Sequence, residues 1–327
     1  MIYVDTASSD ACYNFGCEVY FARHPLPDDV FLLWRTEPTL MIGKYQNALE
    51  EIDAAYAREH GITVVRRLSG GGTIYPDRGG WQFTFITRSL GAEIEFARFV
   101  DPIVEVLRSL GLDAAATGRN DITVGGRKVS GNAQFRLGDA TVHHGSLLFD
   151  TDLTELARAA TPKPYKITSK AIRSVRDRVT NIRDALREAG LPDLTAEAFH
   201  DLLVSRLSDS VRTLTEDEKA AIDAIAREQF ADPALLWKAV PRFELEKVIH
   251  TSGGTFEIGL TVRHGVIESA LIRGDFFSSS SDPAGENPGA LLTGVPYDPA
   301  SVTDALRPFA DTLFSADAGE IAAGLFE

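Results

Sequence analysis

An arginine pair runs into three consecutive glycines in the stretch Arg66-Arg67-Leu68-Ser69-Gly70-Gly71-Gly72-Thr73. Glycine reaches backbone conformations closed to other residues and lets main-chain amides approach a ligand closely. Alone, such a triplet is more often a flexible turn, but guanidinium groups beside bare amides suit a carboxylate or a phosphate. The stretch is not a P-loop: no Lys-Ser or Lys-Thr pair follows at the required spacing, and the exit reads as strand. A second signal is Gly118-Arg119-Asn120-Asp121-Ile122, followed by Gly125-Gly126-Arg127-Lys128-Val129-Ser130-Gly131-Asn132-Ala133. A lysine within a strand sits at an exposed edge or is paired, because burying a lone ammonium is costly. Lys128 and Asp121 flank a short turn and can face one cavity, with the ammonium for a phosphate and the carboxylate for magnesium or an amine. The third signal is His143-His144-Gly145-Ser146. Neighbours on a strand point to opposite faces, so at most one of these histidines enters a site, and packing or hydrogen bonding is a simpler role for it than metal binding.

Short alternating elements must position these groups. Helical spacing marks residues 10–23, 52–60 and 96–110, the last with Pro102 at a start or kink. Strands fit 30–34, 39–42, 63–65, 81–87, 121–124, 128–136 and 142–149. Past residue 150 the pattern turns helical over 153–160, 195–207 and 216–229. A second change falls near 240: residues 243–249 and 256–262 alternate, His264-Gly265 makes a two-residue turn into 266–272, and a helix follows Pro299. The reading is an α+β chain with a mixed or antiparallel sheet in residues 1–239 and a smaller α+β unit in 240–327. No repeat at solenoid periods is visible.

Composition narrows the classes. The 327 residues are 44% hydrophobic and 24% charged, as in ordinary globular chains. No apolar run approaches the roughly 18 residues that cross a bilayer, and the first residues resemble no export signal, so a cytoplasmic protein is expected. Cys12 and Cys17 form neither a disulfide framework nor a zinc set. A net charge of -14 argues against nucleic acid. Yet between Arg158 and Arg183 lie eight basic residues, among them Lys163, Lys170 and Arg176, against the single acid Asp177. In so acidic a chain, that run points to a phosphate or an acidic partner at least as much as to a solvated face.

The motifs RRLSGGG, GRNDI, GRKVSGNA, HHGSLL and SKAIRSVRDRVTNI, in this order and spacing, closely resemble lipoate-protein ligases. LWRTEPTLMIGKYQN and the stretch Gly274-Asp275-Phe276-Phe277 are similar to the same family, so the resemblance covers nearly the whole chain. It implies a catalytic domain of the biotin/lipoate ligase type with a C-terminal accessory domain. The implied reaction joins ATP and lipoate to lipoyl-AMP, with magnesium as cofactor, then transfers the lipoyl group to a lysine of an acceptor. Acceptors would be lipoyl domains of 2-oxoacid dehydrogenase acyltransferase subunits or the glycine cleavage H protein. By matching position, Lys128 would contact the lipoyl carboxyl and α-phosphate. Asp121 would sit near the phosphates and the incoming lysine, and is also the candidate magnesium ligand. Arg66, Ser69, Gly70, Gly71, Gly72, Thr73, Asn120, Ser130, Gly131, His144 and Gly145 would line the lipoyl and nucleotide pocket, and Lys170 and Arg176 would lie in an adenylate-binding loop that orders over its ligand.

Two departures stand out. The family's HDxGN stretch is Pro76-Asp77-Arg78-Gly79-Gly80 here, and its NLAxEE helix start appears only as Asn14-Phe15-Gly16-Cys17-Glu18-Val19. The nearest rival activity, an octanoyl or lipoyl transferase, needs a thioester-forming cysteine near the lysine. A non-catalytic lipoate or nucleotide sensor is the third reading, prompted by the altered PDRGG turn.

Overall fold

The computed structural model describes residues 1–88, 94–117, 120–159, 178–232, 243–279 and 287–326. The expected boundary at 239/240 lies outside them, as do Gly118, Arg119 and the segment 160–177 with Lys170 and Arg176.

Strands β1 (Ile2–Asp5), β2 (Val30–Trp34), β5 (Trp81–Thr87), β6 (Ala114–Thr117), β7 (Asp121–Val124), β8 (Arg127–Leu137), β9 (Ala140–Leu147) and β10 (Ser210–Thr213) form an eight-stranded sheet ordered β10-β1-β2-β5-β9-β8-β7-β6. The β10-β1-β2 end is parallel and the remainder antiparallel. Alternation divides its side chains between two cores. Phe31, Leu33, Phe83 and Phe85 pack with Phe99, Ile103 and Leu107 of the helix Ala97–Ser109, while Leu32, Trp34, Ile86 and Val142 pack with Phe15, Val19 and Phe21 of α1 (Ala11–Arg23). Both faces are covered, which is why β2 is a continuous apolar run buried at all five positions. The helix through Pro102 starts five residues before it, at Ala97, so the proline marks neither its start nor its end.

Strands β3 (Thr39–Ile42) and β4 (Thr63–Arg66) form a separate parallel pair that delivers the chain to the glycine run. Strands β11 (Leu245–Thr251), β12 (Gly254–Arg263) and β13 (Val266–Phe276) make an antiparallel sheet closed by the helices Pro299–Ala310 and Ala318–Phe326. This smaller unit is pressed against the glycine run. The Gly71 amide donates to the Phe276 carbonyl at 3.0 Å, the Gly274 amide to the Tyr45 carbonyl at 3.0 Å, and Phe277 stacks edge-on against Phe96. A methyl on Gly70 would sit 1.9 Å from the Phe276 carbonyl oxygen, closer than any side chain tolerates. Gly71 holds φ at +89°, which a residue with a Cβ rarely adopts.

Candidate active site

A cavity of about 290 Å³ opens where the sheet, the glycine run and the small unit meet. One set of walls is aromatic and aliphatic: Phe15, Trp34, Met41, Ile74 and Ala133. The other is polar: Gly71, Gly72, Thr73, Asn120, Asp121, Lys128, Gly131, Asn132, His144, Gly145, Ser146 and Asp275. Such a cavity suits an amphiphile, with an apolar chain against the first set and an anionic head against the second.

Strands β7 and β8 form a tight hairpin that brings Asp121 opposite Gly131 and Lys128 opposite Thr123. Lys128 Nζ thereby lies 2.7 Å from Asp121 Oδ1, with both side chains about one-third exposed at 38% and 34%. The contact is an ion pair by proximity rather than an aligned hydrogen bond, since that oxygen has no hydrogen-bond partner of acceptable angle. Gly131 lies beneath the ammonium, where a methyl would come within 3.0 Å of Nζ. The turn residue Asn120 is tied to β8, its amide donating to the Asn132 carbonyl at 2.7 Å.

The two arginines separate where β4 ends, at Arg66. Arg66, expected in the pocket, does not line it: its guanidinium donates to the carbonyls of Gly43, Lys44 and Gln46, fastening the loop before the first short helix. Arg67 faces the cavity instead, 5% exposed, and spends its donors on the turn, reaching the carbonyls of Met41, Gly70 and Gly72 and the Ser69 hydroxyl. Burial pushes this guanidinium down to about 10, with Asp275 opposing the shift and Arg66 adding to it. Ser69 and Gly70 support the turn from behind rather than lining the cavity. Ser130 is likewise buried behind the wall, where its hydroxyl accepts from Asn132 Nδ2 at 3.2 Å.

His144 lines the cavity while His143 points to the opposite face, stacked on Phe99 with centroids 4.5 Å apart. Burial, assisted by His144, holds His143 well below the usual imidazole range, so it stays neutral. The altered turn is a staple: Asp77 accepts from the Gly79 amide at 2.9 Å and the Asp152 amide at 2.8 Å. Among the described residues no three acidic, histidine or cysteine groups converge as a metal would require. Cys12 and Cys17 lie on α1 and line no part of the cavity. Burial pushes the Cys12 thiol up to about 11 and the Cys17 thiol further.

Several cavity residues escaped sequence reasoning. Arg67 differs from Arg66 only by strand parity, and β4 ends at Arg66, so no alternation carries through the pair. Trp34 and Phe15 read as ordinary core or helix positions, as does Glu18, which lies behind the cavity. Asp275 and Phe277 reach the cavity from the far end of β13, which only the tertiary contact reveals.

Comparison with known proteins now defines the class. Residues 10–208 match the Lipoyl protein ligase A/B catalytic domain, and residues 240–324 match the Bacterial lipoate protein ligase C-terminus. The chain is 36% identical to lipoate-protein ligase LplJ of Bacillus subtilis over 94% of both chains. It is 34% identical to lipoate-protein ligase 1 of Staphylococcus aureus over 92% of both. This chain belongs to the lipoate-protein ligase family. Solved structures share the fold: LipL1 of P. falciparum in complex with lipoate has a TM-score of 0.75 at 19% identity, covering 94% of this chain and 93% of its own. Lipoate-protein ligase A bound with ATP gives a TM-score of 0.58 at 24% identity, covering 70% and 93%.

Proposed function

We propose that this chain attaches lipoate to acceptor-protein lysines at the expense of ATP, through a lipoyl-AMP intermediate. The observation that carries the reading is the Lys128–Asp121 pair facing the Gly71–Thr73 main chain within one cavity that also has an apolar wall, in a chain of this family. In the first step the lipoate carboxylate attacks the α-phosphorus and pyrophosphate leaves. Among the described residues lining the cavity, Lys128 is the cation not committed to the turn, where the Arg67 donors are spent, and it meets the charge that develops on the phosphoryl oxygens. The Gly72 and Thr73 amides, unlike that of Gly71, offer fixed partial charge to the lipoate carboxylate beside it. In the second step a neutral acceptor amine attacks the lipoyl carbonyl. Asp121 keeps a lone pair for that amine and takes up its proton, and AMP leaves.

Magnesium fits as a companion of the nucleotide. Two carboxylates, Asp121 and Asp275, face the cavity, too few for an all-protein cage but suited to a cation held mainly by phosphates and water. It would supply charge neutralisation at the leaving pyrophosphate. The partners of this reading are lipoyl domains of 2-oxoacid dehydrogenase acyltransferase subunits or the glycine cleavage H protein. An archaeal ligase studied with its E2 lipoyl domain from Thermoplasma acidophilum shares the fold, with a TM-score of 0.64. A cytoplasmic setting belongs to this reading, and no helix among the described residues is long and apolar enough to cross a membrane.

The thioester route of a transferase lacks its nucleophile, because neither thiol lines the cavity and both are shifted away from thiolate. The PDRGG turn that prompted the sensor reading is a closed hydrogen-bonded staple, which leaves no reason in that turn for lost catalysis. Lipoate-dependent ATP–pyrophosphate exchange tests the proposal: exchange is expected, and its absence in the folded protein would leave the transferase or sensor reading.

A further inference from the structure

Glu18 lies in the middle of α1 with 1% of its surface exposed, a position where an unpartnered carboxylate would be ruinous. Its Oε1 accepts from the Thr84 hydroxyl at 2.7 Å and from His144 Nδ1 at 3.0 Å. A carboxylate acceptor at Glu18 calls for the His144 proton on Nδ1. In the neutral ring of that tautomer Nε2 is an acceptor. It sits 2.6 Å from the Ser69 hydroxyl, which in that tautomer donates to it. The same hydroxyl oxygen accepts from Arg67 Nε at 3.1 Å, and the remaining Arg67 donors hold the Met41, Gly70 and Gly72 carbonyls. Every link fixes the direction of the next. The chain starts at a carboxylate behind the cavity and ends at the guanidinium around which the glycine turn is wound.

We propose that Glu18 is a positioning residue for the glycine turn, acting through the His144 tautomer and the Ser69 hydroxyl on Arg67. The functional half of this inference rests on the cavity being the lipoyl-AMP site; the tautomer half does not. Without an acceptor at Glu18, the imidazole is free to move its proton to Nε2. Two donors would then face the Ser69 oxygen, whose own proton would lose its acceptor. The turn would have to shift to relieve this, and Gly71 to Thr73, which line the cavity, would shift with it. The reacting atoms near Lys128 are not part of the chain, so the loss falls on binding rather than on the chemical step.

The relay needs an acceptor at Oε1, where Thr84 and His144 converge at 2.7 and 3.0 Å, with Oε2 a second oxygen 3.1 Å from Nδ1. Glu18→Gln can present its carboxamide oxygen there, whereas Glu18→Leu cannot. The test uses the full chain carrying Glu18→Gln, Glu18→Leu, Ser69→Ala, and the Leu/Ala pair, with lipoate as the varied substrate in pyrophosphate exchange. Long-range ¹H–¹⁵N spectra of ¹⁵N-histidine-labelled protein report which ring nitrogen of His144 is protonated. Expected is an Nδ1–H ring in the wild type and in Glu18→Gln, and an Nε2–H ring in Glu18→Leu. Glu18→Leu and Ser69→Ala should each raise the KM for lipoate by roughly tenfold, the scale of one buried polar contact, with kcat little changed. The double variant should be no worse than the worse single one, since either change already breaks the chain. Multiplying effects in the double variant, or a Glu18→Gln protein as impaired as Glu18→Leu, would overturn the relay. If Glu18→Leu does not fold, the wild-type spectrum decides, and an Nε2–H ring there refutes the proposal. A wild type without exchange would sink the ligase reading and leave the tautomer result standing.

Discussion

Replacing Lys128 with alanine separates two energies that the structure predicts to differ widely. The Lys128–Asp121 pair is about one-third exposed on both sides, at 38% and 34%, so solvent screens it. Pairs of this kind contribute about 0 to 1 kcal/mol to folding. Typical domains are stable by about 5 to 15 kcal/mol, so the variant folds. Among the described residues lining the cavity, the same ammonium is the cation left to meet developing negative charge at phosphorus, because the Arg67 donors are committed to the turn. Removing a donor of that kind typically costs about 10²- to 10³-fold in rate, or about 2.7 to 4 kcal/mol. Lys128→Ala should therefore unfold in urea within about 1 kcal/mol of the wild type yet lose at least a hundredfold in lipoate-dependent pyrophosphate exchange. Urea titration and exchange measured on the same preparation check both halves. A folded variant retaining more than about a tenth of wild-type exchange would refute the role assigned to the lysine.

Gly70→Ala forces a methyl against the Phe276 carbonyl, so the small unit must back away from the turn; a loss of about 1 to 3 kcal/mol in stability and slower exchange are expected, read by thermal unfolding and the exchange assay. Asp193 is held down to about 2 by hydrogen bonds first from Arg183 and then from Arg187. Its folded value lies below the ordinary 3.8, so the unfolded chain protonates first; the stabilising effect is complete above that value and is lost as pH falls toward 2. Asp193→Asn should be less stable than the wild type at pH 6, with the gap narrowed at pH 2 in denaturant titrations, and an equal gap at both would contradict the assignment. Cys12→Ser combined with Cys17→Ala should keep roughly half or more of the exchange activity, because no thioester forms; complete loss in a folded double variant would restore the transferase reading.

The longer elements were legible because their periodicity is strong. The alternation in 81–87, the helical spacing after residue 96 and the strict pattern in 256–262 all correspond to observed elements. Three of the four-residue strands were not. Ala114–Thr117 opens with three alanines, and Ser210–Thr213 is a largely exposed edge, so neither carries a hydrophobic pattern. The strand Ile2–Asp5 is too short for a period to register. At the site, the glycine run and the Asp121–Lys128 hairpin announced themselves through residue types unusual for strands. Choosing between Arg66 and Arg67 required knowing which face of the turn looks inward. Asp275 and Phe277 depend on the docking of a remote sheet, which local sequence does not encode.

The cavity takes its first lining residue, Phe15, and its last, Phe277, from distant parts of the sequence, so its walls leave the ribosome far apart in time. Domains fold as they emerge from the ribosome, N-terminal units first. The sheet bearing Lys128 and Asp121 can therefore assemble while the strand that supplies Asp275 is still unmade. A growing chain thus carries its reactive lysine in a trough open on the side that Asp275 and Phe277 later close. Completion of the site waits on the docking of β13.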